Sequence, residues 1–167
     1  CPSSTDFGGD SFVISATDPR GNVTMGEYDD HGNQQEIKVE FFPDAITVNP
    51  DPPLVVRYYF DYSINGQLTA ITNAPDANGY RSVTRFEHGG GPFPTTIISD
   101  ADGSGLKITN RFEYDPRGNL IRFINPRGHD TLYTYNALNQ LVRYQTPTNL
   151  TARTATDVTY DANNNRV

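Results

Sequence analysis

The sequence predicts an all-β protein made of tandem β-hairpin repeats laid out as an extended, twisted antiparallel sheet. Three observations carry that prediction. An aromatic residue is followed four residues later by Gly or Asn six times along the chain. A second kind of turn recurs ten residues ahead of three of those aromatics. Finally, only 35% of residues are hydrophobic and Trp is absent, which is lean for a globule. A unit repeated along one chain marks a repeat architecture before any single residue marks chemistry.

The first turn is clean in five copies: Tyr28-Asp29-Asp30-His31-Gly32-Asn33, Tyr62-Ser63-Ile64-Asn65-Gly66-Gln67, Tyr114-Asp115-Pro116-Arg117-Gly118-Asn119, Tyr135-Asn136-Ala137-Leu138-Asn139-Gln140 and Tyr160-Asp161-Ala162-Asn163-Asn164-Asn165. A worn copy runs from Phe86 to Gly91. Asp, Asn or Ser after the aromatic hydrogen-bonds the backbone two residues on, and Pro116 presets φ. Gly and, less comfortably, Asn tolerate positive φ, and they fill the fourth slot after the aromatic. Apolar or mixed runs follow, as in Leu120–Ile124 and Leu141–Tyr144. Strand, tight turn, strand is the hairpin signature.

Taken in order, residues 1–16 carry no repeat signal and stay unassigned, and the repeats run from 17 to 167. Asp18-Pro19-Arg20-Gly21 is the first turn of the second kind; Asp76-Ala77-Asn78-Gly79 and Asn125-Pro126-Arg127-Gly128 are its counterparts ahead of Phe86 and Tyr135. The residues between each of these turns and its aromatic match too: Thr24, Ser82 and Thr131; Met25, Val83 and Leu132. The interval from Tyr28 to Tyr62 is long, at 34 residues, and holds Phe42-Pro43-Asp44 and Asn49-Pro50-Asp51-Pro52-Pro53. Prolines cannot donate to a central ladder, so an excursion loop is expected near 42–56. From Tyr114 to Tyr135 is 21 residues and from Tyr135 to Tyr160 is 25, room for two strands and two turns. Met25 and Tyr28 differ by an odd number and should face opposite sides unless a bulge intervenes. After Asn165 the pattern calls for another strand and no cap is visible. The chain therefore reads as an excised stretch, or as a subunit whose neighbours supply the missing strands by β-augmentation into a filament.

The Tyr-Asp-x-x-Gly-Asn-Leu pattern, best seen at Tyr114–Leu120, resembles the YD repeat of the Rhs family. That family includes bacterial polymorphic toxins, shell-forming components of insecticidal toxin complexes and animal teneurins. The resemblance covers about residues 17–167 and is loosest between Thr69 and Arg111. It implies a non-catalytic structural module, part of a shell or fibre wall, secreted or at the surface of a bacterial cell. The partners it implies are neighbouring repeats or other copies of the chain, with an encapsulated toxin domain. Teneurin likeness adds a rival reading as an adhesion module for surface glycans or a receptor, with Tyr58, Tyr59, Tyr133 and Tyr144 as stacking rings. The plainer account of those rings is cross-strand packing. Many Rhs proteins cut themselves at paired Asp-Pro-x-Gly elements. Here Asp18-Pro19 and Asp115-Pro116 lie 97 residues apart and both serve as repeat turns, so no self-cleavage is expected.

Other chemistry finds little footing. A net charge of −7 and a pI near 4.8 disfavour nucleic acid, which wants a basic surface. No apolar run is long enough for a membrane span. His31, His88 and His129 share no metal-ligand spacing and fall at turns or their edges. No phosphate loop and no nucleophile elbow occurs, so no cofactor and no enzyme activity is expected. Asp100, Asp102 and Ser104 imitate the start of a calcium loop, but the twelfth position is Arg111 where a bidentate Glu belongs. A Gly-rich hairpin turn is the better reading there. The one cysteine, Cys1, resembles the lipid-anchored end of a mature bacterial protein, although a stretch that merely begins there accounts for it as well. The sequons Asn22-Val23-Thr24 and Asn149-Leu150-Thr151 read as turn and strand residues.

Overall fold

Strand follows strand in chain order, and neighbours pair antiparallel. The computed structural model describes residues 4–7, 12–41, 54–76, 78–102, 107–148 and 152–167. Among the described residues there are thirteen strands and no helix. The chain divides into two units at Arg85/Phe86, with 100–102 returning to the first. The first unit holds β1 (Ser4–Phe7), β2 (Val13–Thr17), β3 (Val23–Tyr28), β4 (Gln34–Phe41), β5 (Leu54–Tyr62), β6 (Leu68–Asn73) and the start of β7 (Val83–His88). The second holds the end of β7 with β8 (Pro94–Ser99), β9 (Ile108–Tyr114), β10 (Leu120–Ile124), β11 (Asp130–Tyr135), β12 (Leu141–Pro147) and β13 (Arg153–Asp157). Strands β1 and β2 occupy much of the stretch in which the sequence shows no repeat.

Of the stretch 42–56, where an excursion loop is expected, the structure describes only the last three residues. Phe41 and Leu54 sit opposite one another at the ends of β4 and β5, and Val55 and Val56 continue the ladder against Glu40 and Val39. Residues 54–56 are therefore strand, while 42–53 lie outside the described residues, as do Cys1, Ser104 and the second sequon.

Little is enclosed. Only Val83, Ala101 and Val158 are buried among the described residues, and no side chain is completely shut off from solvent. Stability must then come from ladders and cross-strand pairs, each worth roughly 0.2–1 kcal/mol. The rings of Phe112 and Phe123, facing each other across β9 and β10, lie 5.4 Å apart. Tyr133 and Tyr144 are direct partners across β11 and β12 and are half-buried, which fits the packing account of those rings.

In the second unit an ion-pair ladder runs across the strands. Arg122 on β10 reaches Glu113 on β9 at 3.0 Å and Asp130 on β11 at 2.8 Å, and Arg153 on β13 also bonds Asp130. The Arg153 hydrogen bond, then that of Arg122, holds the Asp130 carboxyl below the usual carboxylate range.

A bulge does intervene beside Tyr28, but on the returning strand and not between Met25 and Tyr28, which follow one another along β3 without an insertion. Tyr28 faces Gln34 whereas Glu27 faces Glu36, so Gln35 is an extra residue on the returning strand. Thr69, Ile121 and Val142 are the equivalent extra residues after the Tyr62, Tyr114 and Tyr135 turns. A bulge at the aromatic is thus part of the repeat, and it bends the returning strand where the ring must pack.

Candidate functional site

The recurring polar machinery of this chain lies in its turns. In the first copy the Asp29 N–H donates to the Asn33 carbonyl at 2.9 Å, and the Gly32 N–H donates to the Asp29 carbonyl at 3.0 Å. Asp29 Oδ1 accepts the N–H groups of His31 and Asn33, while Oδ2 accepts the Asn33 side-chain amide at 2.9 Å. Asp115 with Asn119 and Asp161 with Asn165 repeat this pattern bond for bond. Asn136 does the same work in its turn, its Oδ1 accepting from Leu138 and Gln140 and its Nδ2 donating to Gln140 Oε1. Ser63 keeps a single such bond, from the Gln67 N–H. In the three Asp-opened copies the Asn five residues past the aromatic is therefore the amide that locks the opening carboxylate.

The fourth slot is left-handed throughout: Gly32, Gly66 and Gly118 have φ of 83°, 74° and 85°, and Asn139 and Asn164 have 60° and 65°. This is the three-residue hairpin loop closed by a residue in the left-handed region, which leads into a bulge. Gly90, in the worn copy, keeps the same sign at 89°. The second kind of turn uses the same bonds, with Asp18, Asp76 and Asn125 as openers.

Three of the aromatics reach back to an earlier strand. The hydroxyls of Tyr28, Tyr114 and Tyr160 donate to the carbonyls of Val13, Pro94 and Leu141 at 3.1, 3.3 and 3.0 Å. Burial raises the hydroxyl pKa of Tyr62 and Tyr135, and the charges of Asp29 and Asp115 in the preceding turns add to the effect. Replacing Tyr114 by Phe is expected to cost about 0.5–1.5 kcal/mol in urea unfolding, the net worth of one hydrogen bond, because the ring packing survives.

Two functional positions escape the motif. Phe12 stacks on Tyr28 at 5.0 Å and Phe93 packs on Tyr114 at 5.2 Å. Each stands just before a returning strand, the slot that holds Asn33, Asn119 or Gln140 elsewhere. That slot meets the left-handed residue of the next turn in a consistent way. Where that residue is Gly it receives a flat contact: Phe12 over Gly32, Asn33 near Gly66, Phe93 over Gly118. Where it is Asn it receives a hydrogen bond: Asn119 to Asn139 and Gln140 to Asn164, both at 3.1 Å. The signal available in the sequence was the position of Phe12 and Phe93 relative to the next turn, not their residue type.

The calcium-loop candidate is otherwise engaged. Asp100 accepts the Tyr80 hydroxyl and Asp102 pairs with Arg85 at 2.6 Å, while Ala101 N–H bonds the Val83 carbonyl. Ser104 is outside the described residues. Among the described residues no group of three or more His, Cys, Asp or Glu side chains is placed to hold a metal ion. His31 and His129 are exposed in their turns, whereas His88 ends β7 half-buried.

Residues 114–152 match the family model described as RHS Repeat. That stretch is thus similar to an RHS-type repeat. Solved structures agree on the fold. The crystal structure of TcdB2-TccC3-Cdc42 matches with a TM-score of 0.55 at 16% identity, over 99% of this chain and 10% of that one. A Photorhabdus luminescens Tc holotoxin pore with a mutated TccC3 gives the same values. TcdB2-TccC3 without its hypervariable C-terminal region matches with a TM-score of 0.56 at 16% identity, again over 99% of this chain and 10% of that one. The chain thus spans about a tenth of the length of the solved chains it matches. No curated protein matches it. Among the described residues no helix is long and apolar enough to cross a membrane. What the site amounts to is a structural repeat module whose polar residues fix turns and join each turn to the next.

Proposed function

We propose that this YD-repeat chain is a stretch of wall in an extracellular bacterial assembly, non-catalytic itself, enclosing a cargo domain as a shell. The repeats from 17 to 167 form the wall, and β1 and β2 belong to the same sheet. The turn and aromatic positions, from Tyr28, Asp29 and Gly32 through Tyr62, Gly66, Tyr114, Asp115, Gly118, Tyr135, Asn139, Tyr160, Asp161 and Asn164, act as pins that set the register of each hairpin on its neighbour.

The observation that carries this reading is the combination of strand order equal to chain order with almost no buried side chain among the described residues. Such a sheet grows by adding hairpins and leaves broad surface for other elements to cover, as a wall does. Two of the matched structures, in which TcdB2 and TccC3 stand together, support a setting in which such repeats associate with other chains. Electron cryomicroscopy of the native assembly containing this sequence tests the reading. A wall around internal density is expected. A solid, lumen-free filament would replace it with a self-assembling subunit joined by strand addition.

A further inference from the structure

Two turns carry an Asn-Gly step, Asn65-Gly66 and Asn78-Gly79, and no other occurs in the chain. In such a step the backbone nitrogen attacks the Asn side-chain amide most readily, because Gly has no Cβ to restrict the approach. Both Asn residues are exposed, and each stands two residues after the opener of its turn. In both turns the Gly N–H is engaged: Gly66 donates to the Ser63 carbonyl and Gly79 to the Asp76 carbonyl, each at 2.9 Å. Attack requires that bond to break and the Asn backbone to rotate out of the turn. The rate therefore follows how easily each turn opens.

The two turns are not locked alike. Asp76 Oδ1 accepts the N–H groups of Asn78 at 2.8 Å and Tyr80 at 2.9 Å, and the Tyr80 hydroxyl donates to Asp100. Bonds to a carboxylate are the stronger kind. Ser63 Oγ accepts only the Gln67 N–H, at 3.2 Å, so the Asn65 N–H lacks the side-chain acceptor that Asn78 has. Crowding does not separate the sites: a Cβ on Gly66 would come no nearer than 3.8 Å to Asn33 Oδ1, and one on Gly79 would meet nothing within 4 Å.

We propose that Asn65 is a site of spontaneous deamidation through a succinimide, and that its turn protects Asn78. The Gly66 nitrogen bonds to Asn65 Cγ, and Nδ2 leaves as ammonia, taking up the Gly66 proton. Water then opens the ring. Opening at the side-chain carbonyl leaves Asp at position 65; opening at the main-chain carbonyl leaves isoaspartate, with the chain running through the β-carbon. One water is consumed and one ammonia released, and no oxidant or reductant is needed. The isoaspartyl product adds a methylene to the backbone of a tight loop. The 2.9 Å bond of Gly66 and the 2.8 Å bond from the Ser63 N–H to the Gln67 carbonyl cannot then both be kept. The change is one-way and falls on the β5–β6 hairpin, so it marks the age of the chain. It stands on these turns alone and survives if the wall reading fails.

The test incubates the full chain at mildly alkaline pH and follows Asn65 and Asn78 by peptide mass spectrometry, with isoaspartate scored by enzymatic carboxyl methylation. Asn65 should convert about tenfold or more faster than Asn78 in the folded chain. In urea the two rates should converge, because only the shared Asn-Gly step then counts. Ser63→Asp, which supplies the carboxylate of the Asp29 and Asp115 turns, should slow conversion at Asn65 about tenfold. The reciprocal Asp76→Ser should speed conversion at Asn78 by a similar factor, giving a second reading should Ser63→Asp fold poorly. The proposal is overturned if Asn78 converts as fast as Asn65 in the folded chain, if Asn65 stays intact while the chain in urea converts, or if neither change of opener moves the rate at its Asn.

Discussion

Gly118→Ala is expected to destabilise the chain by about 1.5–3.5 kcal/mol, and Gly128→Ala by only about 1–2 kcal/mol. The backbone demand is nearly the same, with φ of 85° at Gly118 and 81° at Gly128, and a Cβ in the left-handed region costs about 1–2 kcal/mol at either. The surroundings differ. A Cβ on Gly118 would lie 2.9 Å from the Phe93 ring, whereas one on Gly128 meets nothing within 4 Å. The ring is partly exposed and can swing away, but only by giving up its contact with Tyr114, worth about 0.5–1.5 kcal/mol. Urea unfolding of the two variants measures the difference directly. Adding Phe93→Ala to Gly118→Ala should cost less than the two single losses combined, because the clash is already gone. Equal destabilisation by the two glycine substitutions would mean that Phe93 does not pin the turn. A companion comparison follows from the native Asn139 and Asn164: Gly128→Asn should be milder than Gly128→Ala, because Asn visits the left-handed region more readily.

Most of the fold was legible in the sequence because hairpin turns carry their own chemistry. Asp or Asn as opener, Gly or Asn at positive φ and an amide to close are local requirements, so Asp115, Gly118 and Asn119 announce their geometry without knowledge of any other strand. What could not be read was whatever depends on the neighbour in space. Phe12 and Phe93 look like ordinary apolar residues until the next turn's glycine is placed beneath them. The bulge residues Gln35, Thr69, Ile121 and Val142 share no residue type, so nothing in their identity marks the shift in register. Asp100 and Asp102 read as a cation loop because their partners, Tyr80 and Arg85, are brought to them only by the fold.

The largest collective effect should appear in acid. The openers Asp18, Asp29, Asp115 and Asp161 all have carboxyl groups held below their ordinary range, first by the side-chain amide of the Asn that closes each turn and then by backbone N–H groups. Asp76 is lowered by the N–H groups of Tyr80 and Asn78. A folded-state pKa below the unfolded value means that the native state holds fewer protons, so these bonds stabilise fully above about pH 4. Their contribution is lost as pH falls through the lower folded-state values, where protonation removes the acceptor that three donors share. Five turns fail over the same window, and the Asp130 ladder weakens with them. The urea midpoint should therefore drop steeply as pH falls below about 4. Asn125 and Asn136 already form the same turns without a titrating group. Combining Asp29→Asn, Asp76→Asn and Asp161→Asn should consequently leave the fold at pH 7 intact and flatten the acid loss. If the triple variant falls as steeply as the parent, the acid sensitivity resides outside the turns, and the ion pairs of Asp130 and Glu113 become the groups to test.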